Sequence, residues 1–222
     1  MMKAMVLAAG RGERMRPLTD TTPKPLIKLE QYRLIEHHLL NLARSGFTDI
    51  VVNVAWLGDQ IIEAIGSGEK YNLNITYSDE GEQALETGGG IFNALPLLGD
   101  EPFLVVNGDV WTDYPFEKLY DFKLKERAHL ILINNPEHNP QGDFSIERDR
   151  LVENENVKFT YSGIGVYSKA FFENCKAGKF PLAPMIRNFI TRDEMSAELY
   201  QGKWVDVGTL ERLEKLRTEL SL

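Results

Sequence analysis

Short, nearly unbroken apolar runs recur along the chain with segments of helical periodicity between them, and that rhythm leaves few folds open. Residues 3–8 form an almost continuous apolar run, the pattern of a strand buried on both faces. Leu34, Ile35, Leu39, Leu42 and Ala43 then fall at helical spacing, and Gly46 closes that helix. Asp49–Val54 (DIVVNV) is a second buried strand, Gly58–Ile65 a short helix, and residues 73–77 a third strand. A helix over 88–98 precedes a fourth strand at 102–106, which runs into Asn107-Gly108-Asp109; a helix over 116–125 and a strand over 129–134 follow. Strands alternating with helices in this way predict an α/β fold with a mostly parallel sheet and helices on both faces.

Beyond about residue 141 the rhythm changes. Strand-like segments at 144–146 and 151–152 flank a turn at 148–150, and residues 158–167 form another strand. A helix over 182–190 follows, then a strand-like stretch over 198–205 with a tight turn at Gln201-Gly202. Thr209 can cap a last helix whose apolar side is Leu210, Leu213, Leu216 and Leu220. No Pro- or Ser-rich linker, repeat or low-complexity tract appears, so one domain over 1–222 is expected, its later segments forming a small substrate-facing β lobe.

The net charge of −8 argues against a broad nucleic-acid-binding face. Anionic ligands must then be met by a few placed Arg and Lys residues, or by a metal. The single cysteine, Cys175, excludes an internal disulfide and a clustered-Cys metal site. The first apolar run is too short for a signal peptide or a membrane span, and charged residues follow it at once, so a cytoplasmic chain is expected.

The first strand ends in Ala9-Gly10-Arg11-Gly12, which places a glycine loop at the carboxyl end of a parallel strand, where open α/β sheets bind ligands. Gly10 and Gly12 permit a sharp turn that brings amide N–H groups close to phosphate oxygens. Neither familiar phosphate loop fits: GxGxxG needs glycine where Met15 stands, and the P-loop needs GK[ST]. Arg11, Arg14, Arg16 and Lys24 cluster here in an acidic chain, and Pro23 and Pro25 flank Lys24 and keep the segment out of helix.

This stretch, LAAGRGERMRPLTDTTPKPL, resembles the signature of the sugar-1-phosphate nucleotidyltransferases, LAAGxGxRxxPLTxxxPKPL, through residues 7–10, Gly12, Arg14, and residues 17–19 and 23–26. The resemblance implies a three-layer α/β/α Rossmann-like fold, with a nucleotide-binding half over about 1–110 and a sugar-phosphate half over about 111–222. It further implies that Ala9, Gly10, Arg11 and Gly12 hold the triphosphate of an NTP, with Arg14 and Lys24 at the reacting phosphate. Joining two anions calls for Mg2+, which takes oxygen ligands and often only one or two carboxylates. Asp109, just past a buried strand, is one candidate, and Asp206 in Trp204-Val205-Asp206-Val207-Gly208-Thr209 is the other. Spacing alone cannot pair positions 109 and 206, but the family's NGD and late WxDxGT segments supply its two metal ligands, and both are present. The implied reaction is in-line displacement at the α-phosphorus with no covalent enzyme intermediate, so positioning and charge stabilisation carry it.

Between the third strand and the helix over 88–98, the segment Ser78 to Gly90 corresponds to the family's base-reading loop. Glu80 is the candidate for the base edge, with Glu86, Thr87 and Gly88 beside it and Asn107 nearby; Thr87 is also the expected helix cap. Thymidylyltransferases typically carry Gln in this region, so the carboxylate favours uridine or guanosine. The sugar pocket is expected from Asn107, Trp111, Gly142, Asp143, Phe144, Glu153 and Gly163. The family's Glu-Lys-Pro before that last strand is missing, and Arg148, Arg150 or Lys158 are the substitutes for its lysine. The combination NGDVWTDY, GDF, LETGGGI and KWVDVGTLERL most resembles a narrower group, the short bacterial N-acetylmuramate α-1-phosphate uridylyltransferases of cell-wall recycling. That group lacks the trailing β-helix domain of many relatives. The implied substrates are UTP and MurNAc-1-phosphate, with no membrane, nucleic-acid or obligatory protein partner; mannose-1-phosphate guanylyltransferase is the alternative. His37 and His38 are expected to be structural, His138 lies near the sugar pocket, and Trp56, Trp111 and Trp204 are expected in packing, with Trp111 also able to face the ligand.

Overall fold

The computed structural model describes residues 1–154 and 157–221. Its strands are β1 (Ala4–Leu7), β2 (Lys28–Leu29), β3 (Tyr32–Arg33), β4 (Asp49–Val54), β5 (Asn74–Asp79), β6 (Phe103–Asn107), β7 (Val110–Thr112), β8 (Ala128–Ile133), β9 (Ser145–Glu147), β10 (Arg150–Val152), β11 (Thr160–Tyr167), β12 (Met195–Tyr200) and β13 (Trp204–Asp206). The helices are α1 (Leu34–Arg44), α2 (Gly58–Ile65), α3 (Glu86–Leu98), α4 (Glu117–Tyr120), α5 (Ala183–Ile190) and α6 (Leu210–Leu220).

The period of two along a strand decides the layers. Ala4 and Val6 of β1 point to one side, where Ile35, Leu39 and Leu42 of α1, Ile61 and Ile65 of α2, and Leu119 of α4 cover them. Met5 points to the other side, against Ile91, Ala94, Leu95 and Leu98 of α3 and Ile186 and Phe189 of α5. The result is helices on both faces of one sheet. A smaller apolar cluster joins Leu213 and Leu216 of α6 to Met15, Ile27, Leu29, Leu34 and Val207, which fixes the last helix against the segment that follows the glycine loop. Among the described residues no helix is long and apolar enough to cross a membrane.

The central sheet has nine strands in the order β5-β4-β1-β6-β11-β8-β12-β10-β9. Only β11 and β10 run against the rest, so the sheet is mostly parallel. From β1 the chain moves outward to β4 and β5 and then returns to β6 on the other side of β1. This reversal creates a switch point at the carboxyl ends of β1 and β6. The later strands extend the same sheet, and the β9–β10 hairpin joins it through Arg150 opposite Ser196. Two short ribbons, β2–β3 and β7–β13, stand outside it.

Several elements differ from the sequence reading. The helix expected over 116–125 is a single turn, because Tyr120, Phe122 and Leu124 alternate onto the core with the period of extended chain. The stretch 198–205 is two strands belonging to different sheets: β12 pairs with β8, whereas β13 pairs with β7. Thr87 is not the cap of α3, which begins at Glu86 without a side-chain cap. An amide of its first turn, on Gly89, donates instead to the carbonyl of Phe180 at 3.0 Å. The prolines around Lys24 exclude α-helix but admit one 3-10 turn, Lys24–Leu26. Thr209 caps α6 as expected, accepting the Arg212 N–H.

Candidate active site

A cleft of about 420 Å3 opens at the switch point. Ala8, Ala9, Gly10, Gly12, Glu13 and Arg14 form one wall, and Lys24, Pro25, Asn107, Gly108 and Asp109 lie beside it. Asn53, Glu80, Ala84, Glu86 and Thr87 line the opposite wall, and Gly208 completes the rim. Register explains the convergence: Leu7 of β1 pairs with Asn53 of β4 on one side and with Asn107 of β6 on the other. The residues that follow these three positions therefore emerge together from one edge of the sheet.

Lys24 is buried, its side chain 8% exposed, and its Nζ donates to Asp109 Oδ2 at 2.7 Å. A buried ammonium needs such a partner, and this pair sets a fixed positive donor on the rim of the cleft. Asp109 and Asp206 approach through the β7–β13 ribbon, in which Asp206 lies opposite Val110 and the Val207 N–H donates to the Asp109 carbonyl at 2.9 Å. His38 of α1 supports this ribbon from below, its Nε2 2.7 Å from the carbonyl of Val110. Burial pushes the His38 pKa down to about 4, so it donates there as a neutral imidazole.

Asp206 is held on one side only. Its Oδ2 accepts from Arg212 Nη1 at 2.5 Å, and His138 Nε2 lies 3.4 Å away. Its Oδ1 is buried and has no hydrogen-bond partner among the described residues. An orphaned carboxylate oxygen of this kind is unfavourable unless something else satisfies it, and a hard cation is the matching chemistry. Among the described residues no cluster of three or more His, Cys, Asp or Glu side chains surrounds such a position. A divalent ion held by Asp109 and Asp206 would complete its shell with phosphate oxygens and water.

The wall expected to read the base has a different internal wiring. Asn53, buried within an apolar strand, accepts the Ala8 N–H through Oδ1 at 2.8 Å and donates from Nδ2 to Glu80 Oε1 at 2.6 Å. Glu80 Oε2 accepts the Leu85 N–H at 2.6 Å. Both Glu80 oxygens are thus engaged in tying the loop after β5 to β4 and β1, while the side chain still borders the cleft. Glu86 and Thr87 line the cleft, but Gly88 is buried at the start of α3 against Phe180. Asn53 was not anticipated; the signal was an amide in the middle of DIVVNV, since buried polar groups rarely lack a task.

Of the residues expected on the sugar side, only Asn107 borders the cleft, with Gly163 directly behind it. Gly163 has φ +79° and sits where the register between β11 and β8 slips, a β-bulge. A Cβ there would come within 2.5 Å of Asn107 Nδ2. Trp111 packs toward the cluster around α6 rather than lining the cleft. Asp143 serves its own loop: Oδ2 accepts the Tyr161 N–H at 2.8 Å and Oδ1 accepts from Asn139 at 3.2 Å. Gly142, at φ +64°, turns that loop, and Glu153 pairs with Arg187. Arg150 is committed to Glu126 and Asp193, and Arg148 occupies the β9–β10 turn at φ +48°. Arg11 faces away from the main cleft, its guanidinium 4.3 Å above Trp56 in a second, more open depression. His138 stacks on Trp204, whose Nε1 donates to the Ser162 carbonyl at 2.9 Å.

A cleft lined by the glycine loop, a buried lysine and Asp109, with Asp206 brought close through the β7–β13 ribbon, suits polyphosphate chemistry, and comparison with known proteins agrees. The model of the family described as nucleotidyl transferase matches residues 3–221. The chain is 51% identical over 222 residues to the N-acetylmuramate alpha-1-phosphate uridylyltransferase of Neisseria meningitidis serogroup B, covering 96% of each chain. It is 43% identical over 225 residues to the mannose-1-phosphate guanyltransferase of Aspergillus oryzae, covering 93% of this chain and 61% of that protein. Among solved structures, a putative glucose-1-phosphate thymidylyltransferase from Bacillus anthracis superposes with a TM-score of 0.89 at 21% identity, covering 99% of this chain and 95% of the other, a likeness of fold.

Proposed function

The chain belongs to the nucleotidyl transferase family, and from that premise we propose that it transfers UMP from UTP to N-acetylmuramic acid α-1-phosphate, giving UDP-MurNAc and pyrophosphate. The observation that carries the substrate assignment is the 51% identity to the Neisseria uridylyltransferase over 96% of both chains. The mannose-1-phosphate guanyltransferase is less similar and longer. The product is a cell-wall precursor, so the enzyme serves peptidoglycan recycling in the cytoplasm.

In this reading the phosphate oxygen of the sugar-1-phosphate attacks the α-phosphorus of UTP in line with the departing pyrophosphate. The reaction needs no covalent enzyme intermediate, because alignment and charge neutralisation lower the barrier. Amides of the glycine loop and the guanidinium of Arg14 hold the triphosphate. Lys24 supplies a fixed ammonium where charge accumulates during displacement, and its burial strengthens that interaction. Asp109 and Asp206 hold Mg2+, which when bound neutralises phosphate charge and orients the polyphosphate. Glu86 and Thr87 border the uracil, with the Asn53–Glu80 pair keeping their loop in place. Asn107, backed by the bulge at Gly163, contacts the sugar phosphate.

The test is pyrophosphate release with UTP, GTP or dTTP against MurNAc-1-phosphate, GlcNAc-1-phosphate, glucose-1-phosphate and mannose-1-phosphate. Preferred turnover of UTP with MurNAc-1-phosphate is expected. Preference for GTP with mannose-1-phosphate would replace the substrate assignment while leaving the family intact.

A further inference from the structure

Two side chains remote in sequence converge on the same oxygen of Asp206. Arg212, in the first turn of α6, donates from Nη1 to Oδ2 at 2.5 Å. His138, in the loop after β8, places Nε2 3.4 Å from that oxygen. Neither is free to wander. The Thr209 hydroxyl that caps α6 accepts from both the backbone N–H and Nε of Arg212, at 3.3 and 3.4 Å. The His138 ring lies nearly parallel to Trp204, at 21° with centroids 6.5 Å apart, and Trp204 is anchored on Ser162. The space Arg212 and Asp206 use exists because residue 208 has no side chain: a Cβ there would stand 2.7 Å from Arg212 Nη2 and 2.8 Å from both Asp206 Oδ1 and Arg14 Nη2.

The asymmetry matters. Here the Arg212 hydrogen bond takes Oδ2, His138 Nε2 stands beside that same oxygen, and Oδ1 is left buried without a hydrogen-bond partner among the described residues. We propose that Arg212 and His138 are positioning residues that grip Asp206 through Oδ2 and so keep Oδ1 presented to a divalent cation. The inference rests on the reading of Asp109 and Asp206 as the cation's carboxylates. Outer partners of this kind set ligand orientation and metal affinity without touching the ion. They also explain why the last helix, far from the glycine loop in sequence, belongs to the site.

The experiment measures Mn2+ binding to the full-length protein by the loss of the free-ion electron paramagnetic resonance signal, together with Mg2+ dependence of turnover. Arg212→Gln and His138→Ala are each expected to weaken Mn2+ binding by about 10–100-fold, and Arg212→Lys should recover part of the loss. In an Asp206→Asn background Arg212→Gln should have no further effect. The half-saturating Mg2+ concentration should rise in parallel, with KM for the sugar phosphate at saturating Mg2+ unchanged. The His138 variant alters a partly exposed loop residue and so provides an arm independent of α6 folding; melting curves on each variant confirm the fold. Wild-type binding with variant affinities within twofold of it would overturn the positioning role alone. A wild-type protein that binds no Mn2+ would overturn the carboxylate reading beneath it.

Discussion

Lys24 and Asp109 form a charge pair at the rim of the cleft, and removing either partner has a distinct signature. In the proposed mechanism Lys24→Ala takes away a buried donor from the developing charge, so kcat is expected to fall by about 100-fold or more. Steady-state pyrophosphate release checks this, and a change confined to KM would assign Lys24 to binding alone. Asp109→Ala should abolish turnover and lower the melting midpoint, because it strands the buried Lys24 ammonium, while unfolding stays cooperative. Asn53→Leu should raise KM for UTP and cost about 1–3 kcal/mol in urea denaturation, since it strands the Ala8 N–H and one Glu80 oxygen. An unchanged KM would show that the link between the two walls is only structural. At this scale the glycine loop, Lys24 and Asp109 were legible because a local run of residues carries them. Neither Asn53 nor the engagement of both Glu80 oxygens is legible, because their hydrogen bonds join segments that a single sequence does not align.

Among elements, β11 shows how a local irregularity serves the site. Gly163→Ala must place a methyl group in left-handed backbone and against Asn107. The left-handed conformation alone costs about 1–2 kcal/mol. The expected outcome is a lower denaturation midpoint together with a raised KM for the sugar phosphate; a stable variant with wild-type kinetics would separate the bulge from the site. The buried strands and amphipathic helices were legible from period alone, and the β9–β10 turn from its polar residues. The β7–β13 ribbon was not: three-residue strands such as Val110–Thr112 carry too little pattern, and their pairing is fixed by neighbours at the other end of the chain. The single turn of α4 was read as a full helix because charged residues between its apolar positions suit either period.

Across the whole molecule, buried histidines give acid sensitivity a definite sign. His38 has a folded pKa of about 4 against an ordinary value of 6.5, because burial disfavours its charged form. The unfolded chain therefore takes up a proton that the folded chain refuses. The stabilisation is complete above pH 6.5 and is lost as pH falls toward 4, by up to about 3 kcal/mol. His129, also lowered by burial, adds in the same direction. Urea midpoints measured between pH 7.5 and 4.5 should fall, and His38→Gln should flatten that slope; an undiminished slope would place the effect elsewhere. The mostly parallel sheet and the carboxyl-edge location of the cleft were legible from the alternation of elements. The insertion of β12 between β8 and β10 was not, because long-range pairing leaves no local trace. One consequence follows for biosynthesis. Asp206 reaches Asp109 through β13, so the two carboxylates come together only once Trp204 and its neighbours have been synthesised. A chain interrupted before Trp204 would lack β13 and with it the second carboxylate, and would also lack the α6 residues that pack on Met15 and Ile27.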